Sequence, residues 1–176
     1  LSSSSAASDV YKRQADILKL LNEELLKTMR PGMFVTLSLG IINLRTNTLT
    51  IARAGHEAPL FFSSNHKDKL FPIEVSGMAL GIVPADIFNQ KIEDFTLSFL
   101  KGDVLVLYTD GVTEMENKKQ VEFSTDRLMR IIYRTSSKNA KSIVSEIIKS
   151  LNNFSEGLEP IDDQTLLLIK YTGGPK

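Results

Sequence analysis

Two apolar runs, each set against aspartates, constrain this chain more than any other feature. The first is Asp103-Val104-Leu105-Val106-Leu107-Tyr108-Thr109-Asp110-Gly111-Val112-Thr113-Glu114, and the second is Asp162-Asp163-Gln164-Thr165-Leu166-Leu167-Leu168-Ile169. Short continuous apolar runs bounded by turn residues read as buried strands. An aspartate at the end of a buried strand is placed rigidly, and two from different strands can converge on a hard cation such as Mg²⁺ or Mn²⁺. Asp110 and Asp162 are therefore expected to approach each other in space.

The rest of the chain supplies material for the surrounding sheets. Apolar residues recur at Leu18, Leu21, Leu25 and Met29, with Ile17 and Leu20 beside them, which predicts an amphipathic helix from Ala15 to Met29, stopped by Pro31-Gly32. Met33 to Asn43 reads as a strand whose Met33, Val35, Leu37, Leu39 and Ile41 stripe belongs to the core. Arg45-Thr46-Asn47 is its turn and Thr48 to Ala54 its hairpin partner. Pro59 to Ser63 and Lys69 to Ile73 read as strands flanking a polar turn that holds His66, a solvated histidine. Glu93 to Phe99 and Asp103 to Thr109 flank Lys101-Gly102, which predicts another hairpin. Thr125 to Arg134 reads as helical, and Asn139 to Leu151 places Ala140, Ile143, Val144, Ile147, Ile148 and Leu151 on one helical stripe. Gln164 to Tyr171 returns as a buried strand. Hairpin-joined strands with helices in separate blocks indicate an α+β fold with antiparallel sheets.

Composition excludes several chemistries. A length of 176 residues suits one domain, and 21 basic against 21 acidic side chains give no basic face for nucleic acid. The absence of cysteine excludes a thiol nucleophile, a disulfide framework and a thiolate zinc site. No apolar run approaches the roughly 20 residues of a membrane span, so the segment is expected to be cytoplasmic and to make no membrane contact. Leu1 to Gln14 is serine-rich and aperiodic, and is expected to be a non-native or linker segment. Thr172 to Lys176 is a short tail.

Five segments in order, Gly32-Met33-Phe34-Val35-Thr36-Leu37, Ala54-Gly55-His56-Glu57-Ala58-Pro59-Leu60, Gly77-Met78-Ala79-Leu80-Gly81-Ile82, Tyr108 to Glu114 and Asp162 to Thr165, resemble the PPM-type serine/threonine phosphatases, the protein phosphatase 2C superfamily, in its SpoIIE-like bacterial branch. The resemblance covers residues 15–171 and implies a four-layer α-β-β-α sandwich with two antiparallel sheets. It implies hydrolysis of phosphoserine or phosphothreonine by a metal-activated water, with two Mn²⁺ or Mg²⁺ ions about 3.5 to 4 Å apart. Asp110 and Asp162 match the family's metal-ligand positions, with Gly111 letting the backbone approach closely and Asp163 supporting the ligands from behind. His56 is the one histidine suited to give a proton to the leaving oxygen, although a histidine in Ala-Gly-His-Glu-Ala-Pro fits a structural or site-wall role better. Arg53 and Glu57-Ala58 depart from the family's usual polar neighbours there.

Gly77 and Gly81 read as a turn packed beneath the site, and Glu114 and Glu116 as a polar loop. The family's first metal motif, an Asp-x-x-Gly-His-Gly-like sequence, is absent, and Asp9 and Asp16 have no such context. The domain is therefore expected to be incomplete at its N-terminus, with an incomplete metal site and exposed apolar edges. The partner implied is a phosphorylated regulatory protein of the anti-sigma factor antagonist kind. The competing reading is a pseudophosphatase, a non-catalytic binding module on the same fold. A glycosidase would also use paired acids, but the lack of tryptophan removes the usual sugar platform.

Overall fold

The computed structural model describes residues 14–65 and 70–173. Residues 1–13 of the expected linker, His66 and the rest of its turn, Lys69, and the tail from 174 onward lie outside the described residues. The chain folds as two compact units, 14–56 with 75–98 and 57–74 with 99–173, each built on one antiparallel sheet. The expected α+β class with two antiparallel sheets is what forms.

The first unit contains helix α1 (Gln14–Thr28), strands β1 (Leu37–Asn43) and β2 (Thr48–Ala54), helix α2 (Ala85–Lys91) and strand β5 (Phe95–Ser98). The β1–β2 hairpin forms as predicted, running from Leu37↔Ala54 to Asn43↔Thr48, and β5 pairs on the other side of β2. Being central, β2 buries Leu49, Ile51, Ala52 and Ala54. α1 packs Ala15 and Leu18 with Ala52, Ala54, Leu80, Phe88 and Ile92. Its other contribution is polar: Asn22 is fully buried, its amide donating to the Val83 carbonyl at 3.2 Å and its oxygen accepting from Gly81 N–H at 2.9 Å. α2 was not legible beforehand; it is a short helix entered at Pro84 and anchored by buried Phe88.

Two expectations need correction here. The Met33–Ile41 stripe is not wholly core, because Met33 is 55% and Val35 39% exposed. The ladder begins only at Leu37, and before it Val35 makes a single isolated bridge to Leu80, so the alternation that buries a strand face does not extend over residues 33–36. The Lys101-Gly102 hairpin does not form either: β5 pairs with β2, whereas the strand after Gly102 belongs to the other sheet. Gly102 instead donates its N–H to Tyr171 O at 2.7 Å.

The second unit contains β3 (Leu60–Phe62), β4 (Leu70–Pro72), β6 (Val104–Tyr108), the short helix α3 (Asp110–Thr113), helices α4 (Thr125–Thr135) and α5 (Ala140–Ser155), and β7 (Leu166–Lys170). Its sheet runs β4-β3-β6-β7, antiparallel throughout. Val104, Val106 and Tyr108 of β6 pack with Leu128 and Ile132 of α4 and Ile143, Ile147 and Leu151 of α5. Asp103, which heads the first apolar run, is a structural acid: it is 1% exposed and accepts from Leu100 N–H (2.7 Å), Ser64 N–H (2.7 Å) and Ser64 Oγ (2.8 Å).

α5 runs beyond the expected Leu151 to Ser155 and ends where Glu156 turns left-handed at φ 53° and Gly157 at φ 87°. At its start the Asn139 side chain caps Ser142 N–H at 2.8 Å. Asn139→Ala should lower stability by about 1 kcal/mol in urea denaturation. No change would show that the cap does not persist in solution. No helix of the described residues is long and apolar enough to cross a membrane.

Candidate active site

The site grows out of the pairing of β6 with β7. Their antiparallel register ends at Tyr108↔Leu166, so residues following β6 run beside residues preceding β7. Thr109 extends the pairing by one bond, N–H to Thr165 O at 3.1 Å. Its side-chain oxygen accepts from Thr165 N–H at 2.9 Å and donates to Asp163 O at 2.8 Å. The chain then turns into α3, with Asp110 Oδ1 accepting from Gly111 N–H at 2.9 Å. Asp162 does the same with its own neighbour, Oδ1 accepting from Asp163 N–H at 2.7 Å.

Asp110, Gly111, Asp162 and Asp163 thus come to one place in the second unit. Gly111 is the point of closest approach: a Cβ there would stand 2.7 Å from Asp163 O and 3.0 Å from Asp162 O. Glycine is needed for the Asp162–Asp163 backbone to pass. The Gly111 carbonyl accepts from Gln164 Nε2 at 2.9 Å. Asp110 and Asp162 are exposed, while Gly111 beneath them is buried. Next to them, burial pushes the Tyr108 phenol above its ordinary range; a hydrogen bond with Thr125 offsets part of this, and the charge of Glu57 adds to it. Tyr108 is therefore a neutral phenol at physiological pH.

His56 belongs to the first unit, where its Nδ1 lies 3.1 Å from Thr36 Oγ1 and its carbonyl accepts from Arg53 Nη1 at 2.6 Å. Gly77 and Gly81 also fall in the first unit, at the segment held by Asn22 and Arg53. Glu114 is exposed just beyond α3, and Glu116 makes an isolated bridge to Glu122. Sequence reasoning passed over Thr109 and Gln164, although both sit inside the quoted motifs. Their signal was only a hydroxyl and an amide at strand ends, where such groups often bond the backbone.

The acidic side chains on these two adjoining segments are carboxylates, whose hard oxygens are the kind that Mg²⁺ and Mn²⁺ take. They fit such ions in kind but fall short in number. Among the described residues no three of His, Asp and Glu converge to hold an ion.

The architecture is that of a PP2C-type phosphatase domain. It matches the SiaA-PP2C domain of Pseudomonas aeruginosa with a TM-score of 0.78 at 13% identity, over 94% of this chain and 63% of that one. The manganese-presoaked phosphatase domain of the cell fate determinant SpoIIE from Bacillus subtilis matches with a TM-score of 0.67 at 18% identity, over 96% of this chain and 70% of that one. Residues 3–172 match the family model described as Stage II sporulation protein E (SpoIIE), and the chain belongs to that family. It is 30% identical to the phosphoserine phosphatase RsbU of Bacillus subtilis over 156 residues, 89% of this chain and 44% of RsbU. The chain spans less than half the length of the curated relatives it matches.

Proposed function

We propose that residues 15–171 form a SpoIIE-like phosphatase domain that hydrolyses phosphoserine or phosphothreonine on a regulatory protein. The observation that supports this reading is the close backbone contact between Gly111, which follows Asp110, and the Asp162–Asp163 segment some fifty residues further along the sequence. Mn²⁺ or Mg²⁺, when bound, supplies the positive charge and the ionised water that a phosphomonoester needs. Asp110 and Asp162 would hold it through their carboxylates. Asp163 supports Asp162, and Gly111 keeps the two loops in contact. His56 holds the end of β2 through Thr36 rather than moving a proton. Similarity to a phosphoserine phosphatase favours phosphoserine, and a small phosphorylated antagonist of an anti-sigma factor is the substrate class we favour.

One observation favours the pseudophosphatase instead, namely the lack of a three-residue ligand cluster among the described residues. The two readings part on one experiment. The full-length protein, given a phosphoserine peptide, should release phosphate only with added Mn²⁺ or Mg²⁺, and a chelator should abolish turnover. Turnover indifferent to the chelator would contradict metal activation. Peptide binding without hydrolysis at any metal concentration would establish the binding module.

A further inference from the structure

We propose that Thr109 is the positioning residue of this site, its hydroxyl holding the Asp162–Asp163 turn in register with Asp110; the proposal rests on the phosphatase reading above. Thr109 stands at the position that caps α3, with extended backbone at φ −95°, ψ 158°, yet its side chain makes no bond to that helix. A threonine at such a place ordinarily accepts from an N–H of the first turn. Here the hydroxyl is turned to the other loop, and both of its capacities are engaged: one proton donated to Asp163 O at 2.8 Å, one lone pair accepting Thr165 N–H at 2.9 Å. The hydroxyl rotor is thereby fixed.

Beyond the close backbone packing at Gly111, Asp162 lies in an exposed stretch. The chain approaches it through exposed residues, with Leu158 at 42% and Ile161 at 84% exposure. The hydrogen bond recorded for its carboxylate is the local one from Asp163 N–H. Among the described residues, two side chains tie this turn to the Asp110 loop: Thr109, and Gln164, whose amide reaches Gly111 O at 2.9 Å. Of these Thr109 is the shorter and stiffer, since a β-branched side chain in extended backbone has few rotamers to choose from.

Because the Thr109 bonds lie at the surface, water can replace them thermodynamically without replacing their geometry. Loss of the hydroxyl should therefore disturb the site far more than the fold. A displacement of about 1 Å in a reacting constellation can lower the rate roughly a hundredfold.

The test compares Thr109→Val, which keeps shape and backbone preference but removes the hydroxyl, with Thr109→Ser, which keeps the hydroxyl. Both are made in the full-length protein, with Asp110→Asn beside them. Three quantities are measured: kcat/KM on a phosphoserine peptide, Mn²⁺ affinity from the free-ion electron paramagnetic resonance signal, and melting temperature. Thr109→Val should lose about 10- to 100-fold in kcat/KM and weaken Mn²⁺ binding about 10-fold, while melting within a few degrees of the parent. Thr109→Ser should recover most of both losses. A valine variant equal to the parent in rate and metal affinity would overturn the proposal, as would a serine variant impaired as badly as valine. A loss of activity matched by a large drop in melting temperature would overturn it too, by making the role structural. If Asp110→Asn abolishes turnover while Thr109→Val keeps the parent's rate and metal affinity, the positioning role alone is wrong. Full turnover in Asp110→Asn would remove the phosphatase site itself, and this proposal with it.

Discussion

Gly77→Ala should unfold the first unit. A methyl carbon built on Gly77 would lie 1.6 Å from the Arg53 carbonyl oxygen and 2.8 Å from its carbon, both backbone atoms of β2. Neither can yield as a flexible side chain would. The segment cannot simply lift away, because Arg53 also holds it from its own side chain, with Nε and Nη2 donating to Val75 O at 3.2 and 2.9 Å. Relief requires breaking those bonds or distorting β2, the strand that buries Leu49, Ile51, Ala52 and Ala54. The expected loss exceeds about 4 kcal/mol, a large share of the roughly 5–15 kcal/mol that holds a domain folded. Gly40→Ala is the control: its added carbon meets side-chain atoms of Leu49 and Ile51 at 3.5 Å and beyond, ordinary contact distance. Circular dichroism should show the Gly40 variant near the parent and the Gly77 variant with reduced ellipticity before heating and a smaller melting transition. A Gly77 variant that melts like the parent would mean that the two backbones are farther apart in solution.

Asp110→Asn in the full-length protein should remove most phosphatase activity, a fall of about a hundredfold or more in kcat/KM. The amide preserves size and still accepts the Gly111 N–H, so the loop should keep its path. What it loses is the negative charge that attracts a hard cation. Melting without added metal should therefore be nearly unchanged, while the stabilisation given by Mn²⁺, which follows RT ln(1 + [L]/Kd), should shrink. Turnover in the variant equal to the parent's, at matched ionic strength and metal concentration, would remove Asp110 from the ligand set.

Much of the fold was legible because its longest elements are periodic. The β1–β2 hairpin and α4 stand within a few residues of where alternation or helical spacing put them, β6 and β7 of where continuous apolar runs did, and α1 is displaced by one residue. What escaped was information carried by distant partners. Lys101-Gly102 has the chemistry of a hairpin turn, and only the competing partners, β2 for β5 and β3 with β7 for β6, decide that no hairpin forms. Nothing in the sequence marks Asn22 or Asp103 as buried, yet each is, with backbone groups far along the chain satisfying it. At the site, the meeting of the two aspartate loops followed from motif and strand logic. The bonds that join them did not, since a hydroxyl or amide in a sequence does not announce which backbone it will reach.

The order of segments in the two units bears on how the molecule is made. The chain enters the second unit at Glu57, leaves it after Glu74 and returns at Phe99. No single cut in the gene would release either unit whole. Of the second unit, β3 and β4 emerge first during synthesis, and such a short two-stranded ribbon is not stable by itself. Their neighbour β6 arrives only after residues 75–98, so closing that loop is a prerequisite for the sheet, with an entropic cost that grows slowly with its length. β7 comes last, at Leu166–Lys170, and draws the Asp162 turn into place beside Asp110. A ribosome stalled before residue 170 would thus carry a nascent chain with its first hairpin formed and its acidic site still open.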